Sequence, residues 1–163
     1  MNVHRPVHGV RDLSRLFRPR SIALIGGSVA TAAALQCRRM GFAGEVWRVH
    51  PTKSEDEGFP CVPDVASLPG VPDAVFLGIN RALTVDVVAQ LSRLGAGGVV
   101  CYASGFSESG EEGAGFTARL LEAAGSMPLM TLSTWAPQPA QVVFWQRLHF
   151  TGRHMGQPTF SRH

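Results

Sequence analysis

Cysteine is scarce in this chain: Cys37, Cys61 and Cys101 are the only three in 163 residues. Their number is odd, their spacing is wide, and no Cys-x-x-Cys or Cys/His ligand spacing occurs. A secreted disulfide framework and a zinc site are both poor readings, and no metal ligand is assigned. Long apolar runs are missing as well. The stretches 21–26 and 98–103 are far too short to span a bilayer, and the opening Met-Asn-Val-His-Arg-Pro holds no signal-peptide core. The expectation is a reduced, cytoplasmic protein with no membrane partner.

Lysine occurs once, at Lys53, among 15 basic residues. Acid is absent from residues 131–163, which hold Arg147, Arg153 and Arg162. Residues 1–130 balance 12 basic against 12 acidic side chains, so the whole net charge of +3 lies in that last segment. The pI of about 9.1 therefore reports an unusual tail, and no nucleic-acid partner is expected. A nucleophile–base pair, a carboxylate pair and a metal triad are also lacking, so no catalytic residue is assigned. Cys101 falls inside an apolar run, where an inert buried thiol is expected.

What remains is ample for one globular domain: 45% of residues are hydrophobic and 17% charged. Between residues 21 and 130, short apolar runs alternate with helical periodicity. Strands are expected at 21–25, 45–49, 73–79, 98–103 and from 127, the first ending at Gly26-Gly27-Ser28. Helices are expected at 30–40 before Gly41, at 83–94 before Gly95, and at 111–124, with a short turn over 64–68 capped by Asp64. Residues 52–58 read as a polar loop. The pattern implies an α/β, Rossmann-like, doubly wound parallel sheet of about five strands with right-handed crossovers. Residues 1–20 form a basic leader, with Asp12 alone against five arginines. One or two helical turns over 12–17, ended by Pro19, would dock it on the domain.

In such sheets ligands bind beyond the carboxyl ends of the strands. That rule selects the segments 26–29, 50–53, 78–81 and 103–106. Gly26, Gly27 and Ser28 could let a phosphate approach the backbone and a helix N-terminus, or simply form a tight turn with Ser28 as N-cap. The spacing is not the dinucleotide fingerprint. At the second strand end, where NAD enzymes place an acid for the ribose, the chain has His50, Pro51, Thr52 and Lys53. Lys53 suits a phosphate, and a solvated lysine beside Glu55, Asp56 and Glu57 is the plain alternative. His50 has no evident catalytic partner. Asn80 and Arg81, with Ala103, Ser104, Gly105 and Phe106, either line a cleft or make ordinary strand–helix connections.

Taken in order, residues 16–28, 41–47, 49–51, 65–69, 73–75, 102–107 and 110–113 resemble the CoA-binding domain of NDP-forming acyl-CoA synthetases. These are the ADP-forming acetate–CoA ligases, relatives of the succinyl-CoA synthetase alpha subunit. The resemblance covers residues 16–130 and implies a Rossmann-like domain holding CoA at its strand ends. Gly26, Gly27 and Ser28 would sit at the phosphate turn, and His50, Pro51 and Lys53 at the nucleotide end. Ala103, Ser104, Gly105 and Phe106 would lie nearer the pantetheine arm.

After Met130 the family continues with a Gly-Pro-Asn motif, a phosphohistidine domain and an ATP-grasp module, which this chain does not match. His149, His154 and His163 fit no family motif. The expected organisation is a leader (1–20), a CoA-binding domain (21–130) and a mostly disordered tail (131–163) of out-of-frame or fused character, a genuine short C-terminal extension being the alternative. An apolar patch is expected near 142–150. The expected function is a truncated module that binds CoA or acyl-CoA, is not catalytic alone, and works with a separate ATP-grasp subunit. The alternatives are an NAD(P)-binding or redox-sensing domain, NADP being the form that Lys53 leaves open, and a non-binding remnant.

Overall fold

The computed structural model describes residues 11–102 and 110–132. The expectations for Ala103, Ser104, Gly105 and Phe106, and for residues 133–163, lie outside these. After a single helical turn, α1 (Ser14–Phe17), the chain enters β1 (Ser21–Gly26), all six of whose residues are buried. It continues through α2 (Ser28–Arg39), β2 (Glu45–Val49), β3 (Glu55–Asp56), β4 (Phe59–Val62) and a 3-10 turn (Val65–Ser67). The second half comprises β5 (Ala74–Gly78), α3 (Arg81–Leu94), β6 (Val99–Tyr102), α4 (Gly110–Ala124) and β7 (Leu129–Leu132).

The sheet order is β3-β4-β2-β1-β5-β6-β7, parallel throughout except for the antiparallel β3–β4 pair. Counted in chain order, the six parallel strands lie 3-2-1-4-5-6, the doubly wound Rossmann arrangement. The chain grows outward from β1 through β2 and β4, then returns to place β5 on the other side of β1. The order thus reverses between β1 and β5, and the crevice of such a sheet opens at their carboxyl ends.

Strand alternation feeds two cores. Ala23, Ile25, Val75, Leu77, Val99 and Cys101 face Val88 and Leu91 of α3 and Phe116 and Leu120 of α4. Ile22, Leu24, Ala74, Phe76 and Val100 face the other side. There they meet Ala30, Ala33, Ala34 and Cys37 of α2, and Leu16 of α1. A sheet covered on both faces needs such continuous apolar strands. Burial raises the Cys37 thiol to about 11 and the Cys101 thiol to about 12, which keeps both inert.

The leader turn is fastened by charge as well as by Leu16. Arg15 Nε donates to Asp73 Oδ1 at 2.8 Å, and the Arg20 amide donates to Asp73 Oδ2 at 2.9 Å. Gly95 ends α3 in the left-handed conformation, and Asp64 caps the 3-10 turn by accepting from the Ser67 amide at 2.8 Å, both as expected.

Among the described residues seven strands stand where about five were expected. The supposed polar loop contains β3, and β4 was hidden by Pro60, a residue that counts against a strand. Pro60 pairs only with Glu55 on β3, one position before the β2 pairing begins at Cys61, so its missing N–H costs that ladder nothing. Helix α2 starts at Ser28, two residues earlier than expected, with Gly27 in the N-cap place instead of Ser28. The last strand runs to Leu132, pairing Thr131 with Cys101 and Leu132 with Tyr102, so the sheet passes the expected boundary at Met130.

Candidate functional site

The carboxyl ends of β1 and β5 meet at two glycines. Gly26 pairs with Gly78, and a Cβ on Gly26 would stand 2.1 Å from the Gly78 carbonyl oxygen. Gly26 also has φ +130°, a conformation that a side chain rarely allows. Only glycine brings the two strand ends this close. Beyond it the chain turns into α2 through Gly27 alone, and among the described residues no side chain caps that helix. The first intrahelical bond runs from the Thr31 amide to the Gly27 carbonyl at 3.0 Å. Gly27, Ser28 and Val29 are exposed. The amides at the start of α2 are thus arranged to receive an anion.

At the end of β2, the His50 amide donates to the Val62 carbonyl at 3.0 Å, and His50 Nδ1 accepts from the Thr52 amide at 3.3 Å. These contacts set the path of the 50–53 loop. Lys53 Nζ donates to Asp56 Oδ1 at 2.6 Å, and its side chain is 46% exposed.

Asp56 belongs to a buried network that the sequence reading did not identify. Arg48 is fully buried on β2. It donates through Nη1 to the Leu24 carbonyl at 2.7 Å, and through Nη2 to the Gly26 carbonyl at 3.1 Å and Asp56 Oδ2 at 2.8 Å. Its Nε has no partner among the described residues. Thr31 Oγ1, on the first turn of α2, also donates to Asp56 Oδ2. Donation from Lys53, Thr31 and Arg48 holds the Asp56 carboxyl far below the usual carboxylate range, against the upward pull of burial. The signal available in the sequence was Arg48 itself, an arginine in a strand that packs on both sides. A buried cation requires an acid and further acceptors.

At the end of β5, Asn80 and Arg81 have structural partners. Asn80 Oδ1 caps α3 by accepting from the Leu83 amide at 3.1 Å. The Arg81 guanidinium stacks on the Phe116 ring at 4.6 Å and donates to the Glu112 carbonyl at 2.9 Å, joining α3 to α4. It borders a groove of about 790 Å³ between those helices, whose lining includes Val85 and Phe116. The structure therefore brings Gly26, Gly27, Ser28 and Lys53 into one neighbourhood through Thr31 and Asp56. No group of three or more potential metal ligands occurs among the described residues, and no described helix is long and apolar enough to cross a membrane.

The profile of the family described as "CoA binding domain" matches residues 20–128. Trans-feruloyl-CoA synthase FCS1, from an unknown prokaryotic organism, is 37% identical over 108 residues, which is 63% of this chain and 15% of that protein. Acetate–CoA ligase (ADP-forming) II of Archaeoglobus fulgidus is 31% identical over 120 residues, covering 71% of this chain and 18% of the ligase. Among solved structures, PH0766 from Pyrococcus horikoshii OT3 superposes with a TM-score of 0.67 at 25% identity, over 72% of this chain and 28% of that one. The chain spans less than a fifth of the length of these two curated relatives. The fold and the expected family resemblance agree with these matches: this chain belongs to the CoA binding domain family, and is similar to the N-terminal domain of ADP-forming acyl-CoA synthetases.

Proposed function

We propose that this chain binds coenzyme A, free or acylated, across the carboxyl ends of β1, β2 and β5. The observation that carries the proposal is the Gly26–Gly78 approach beside an uncapped helix start, within the segment that matches the family. The pyrophosphate would accept from the amides of Gly27 and Ser28. The adenosine end, with its 3′-phosphate, would lie toward His50, Pro51 and Lys53. The pantetheine arm is assigned by resemblance to Ala103, Ser104, Gly105 and Phe106.

The role is that of a binding module. His50 is the only histidine among the described residues, and its Nδ1 is committed to the 50–53 turn. Phosphoryl transfer and thioester formation are assigned to another domain or to a separate ATP-grasp subunit. An NAD-type site would need a free carboxylate at the end of β2. Asp56, the acid bonded to the loop lysine there, has both oxygens engaged by Lys53, Thr31 and Arg48.

Isothermal titration of the full chain with CoA, dephospho-CoA and NAD tests the reading. Saturable heat with CoA, weaker binding of dephospho-CoA and none of NAD is expected. Binding of NAD with no heat from CoA would overturn it.

A further inference from the structure

We infer that Asp56 is a positioning residue for the CoA phosphates, acting through Lys53. Together with Arg48 and Thr31 it forms a device that fixes the one lysine of the chain beside the phosphate turn. The inference rests on the reading that CoA binds at this edge.

The geometry runs in one direction, from the interior outward. Arg48 is fully buried and Asp56 nearly so, whereas the Lys53 side chain is 46% exposed. Asp56 pairs with the buried guanidinium on one side, and the Lys53 ammonium meets the same carboxylate from the exposed side. Asp56 Oδ2 takes the Arg48 and Thr31 donors, and Oδ1 is left to face Lys53. The carboxylate is therefore locked on its inner side and holds the ammonium with its outer oxygen.

The same groups reach the turn. Arg48 grips the Gly26 carbonyl, and Thr31 Oγ1 lies 3.1 Å from the Gly27 carbonyl. Lys53 Nζ is thus tied to the start of α2 through a single carboxylate and a single hydroxyl. An ion pair with a half-exposed ammonium adds little to stability. Its consequence is positional: a long flexible side chain is ordered before the ligand arrives, which lowers the entropic cost of binding.

This makes an unusual prediction of sign. Removing the negative charge of Asp56 raises the positive charge near the phosphate site, so simple electrostatics would predict tighter binding of CoA. Positioning predicts weaker binding. The full chain and its variants Asp56→Asn, Lys53→Ala and the double variant are titrated with CoA, with thermal melts confirming that each is folded.

Asp56→Asn is expected to weaken CoA roughly tenfold, within the range for a charge-assisted hydrogen bond. In the Lys53→Ala background the same change is expected to have little further effect, because Asp56 acts through the ammonium that is missing there. Equal or tighter binding by Asp56→Asn, or losses that simply add in the double variant, would overturn the inference.

If Asp56→Asn does not fold, Thr31→Val decides. It keeps every charge and removes only the hydroxyl that donates to the Asp56 carboxylate, and is expected to weaken CoA about threefold, because one of the two donors that hold Oδ2 is lost. Wild-type affinity there would overturn the inference. If the unaltered chain fails to bind CoA, the proposed function falls first and this inference with it. Failure in the variants alone leaves the proposed function standing.

Discussion

Replacing Gly26 with alanine should injure the fold and the binding edge together. The new Cβ would stand 2.1 Å from the Gly78 carbonyl oxygen and 2.7 Å from its carbon, where ordinary contact begins at 3.4 Å. The ends of β1 and β5 would have to part by about 1.3 Å, the difference between the ordinary and the clashing distance. Both partners are backbone, so no side-chain rotation relieves the overlap. Overpacking of this kind costs about 1–3 kcal/mol. Holding alanine at φ +130° adds a further strain of order 1–3 kcal/mol. A total near ~4 kcal/mol corresponds to a fall in Tm of roughly 8–16 °C for a chain of this size. The control is Gly115→Ala in α4, where a Cβ meets nothing within 4 Å. It is expected to add about 0.5–1 kcal/mol, the helix preference for alanine over glycine. Thermal unfolding followed by far-UV circular dichroism measures both. A Gly26→Ala variant melting within about 3 °C of the unaltered chain would refute the close-approach argument, since that argument requires at least a kcal/mol.

Other consequences follow from the same contacts. Lys53→Ala should weaken CoA by roughly 1–3 kcal/mol and dephospho-CoA by much less, if the 3′-phosphate is its partner; calorimetry with the two ligands decides, and equal losses would contradict that assignment. Leu16→Ala, at a fully buried position, should cost about 2–5 kcal/mol and show by denaturant titration that α1 belongs to the core. Asp56 has its folded pKa depressed by Lys53, Thr31 and Arg48, so its stabilising contribution is full above the unfolded carboxylate value near ~3.9 and is lost as pH falls below it. Melting temperature measured against pH should therefore fall less steeply on the acid side in Asp56→Asn than in the unaltered chain.

The central strands were legible because burial on both faces leaves no room for polar residues. β1, β5 and β6 are unbroken apolar runs, and Gly95 marks a helix end by its need for a positive φ. The turn at Gly26-Gly27-Ser28 was legible as a strand–helix junction because glycine permits the sharp change of direction there, although the N-cap falls on Gly27 and not on Ser28. The polar network was not. Arg48 and Asp56 lie eight residues apart on different strands, and their meeting depends on the hairpin of β3 and β4, itself obscured by Pro60. The carbonyls of Leu24 and Gly26 become acceptors for Arg48 only through the parallel register of β1 and β2, which no local pattern encodes. Asn80 and Arg81 show the converse. Their place after β5 leaves cleft lining and an ordinary strand–helix connection both open, and in the structure Asn80 caps α3 while Arg81 bridges α3 and α4 at the edge of a groove.

The location of CoA is tested most directly by an amide-resolved titration. In ¹⁵N–¹H correlation spectra of the full chain, saturating CoA should shift the amides of Gly27, Ser28, Val29, Thr52 and Lys53 along one binding curve. Amides at the opposite edge of the sheet, such as Arg20, Gly44 and Gly97, should stay in place. Shifts confined to that opposite edge, or none at all, would contradict a CoA site at the junction of β1, β2 and β5.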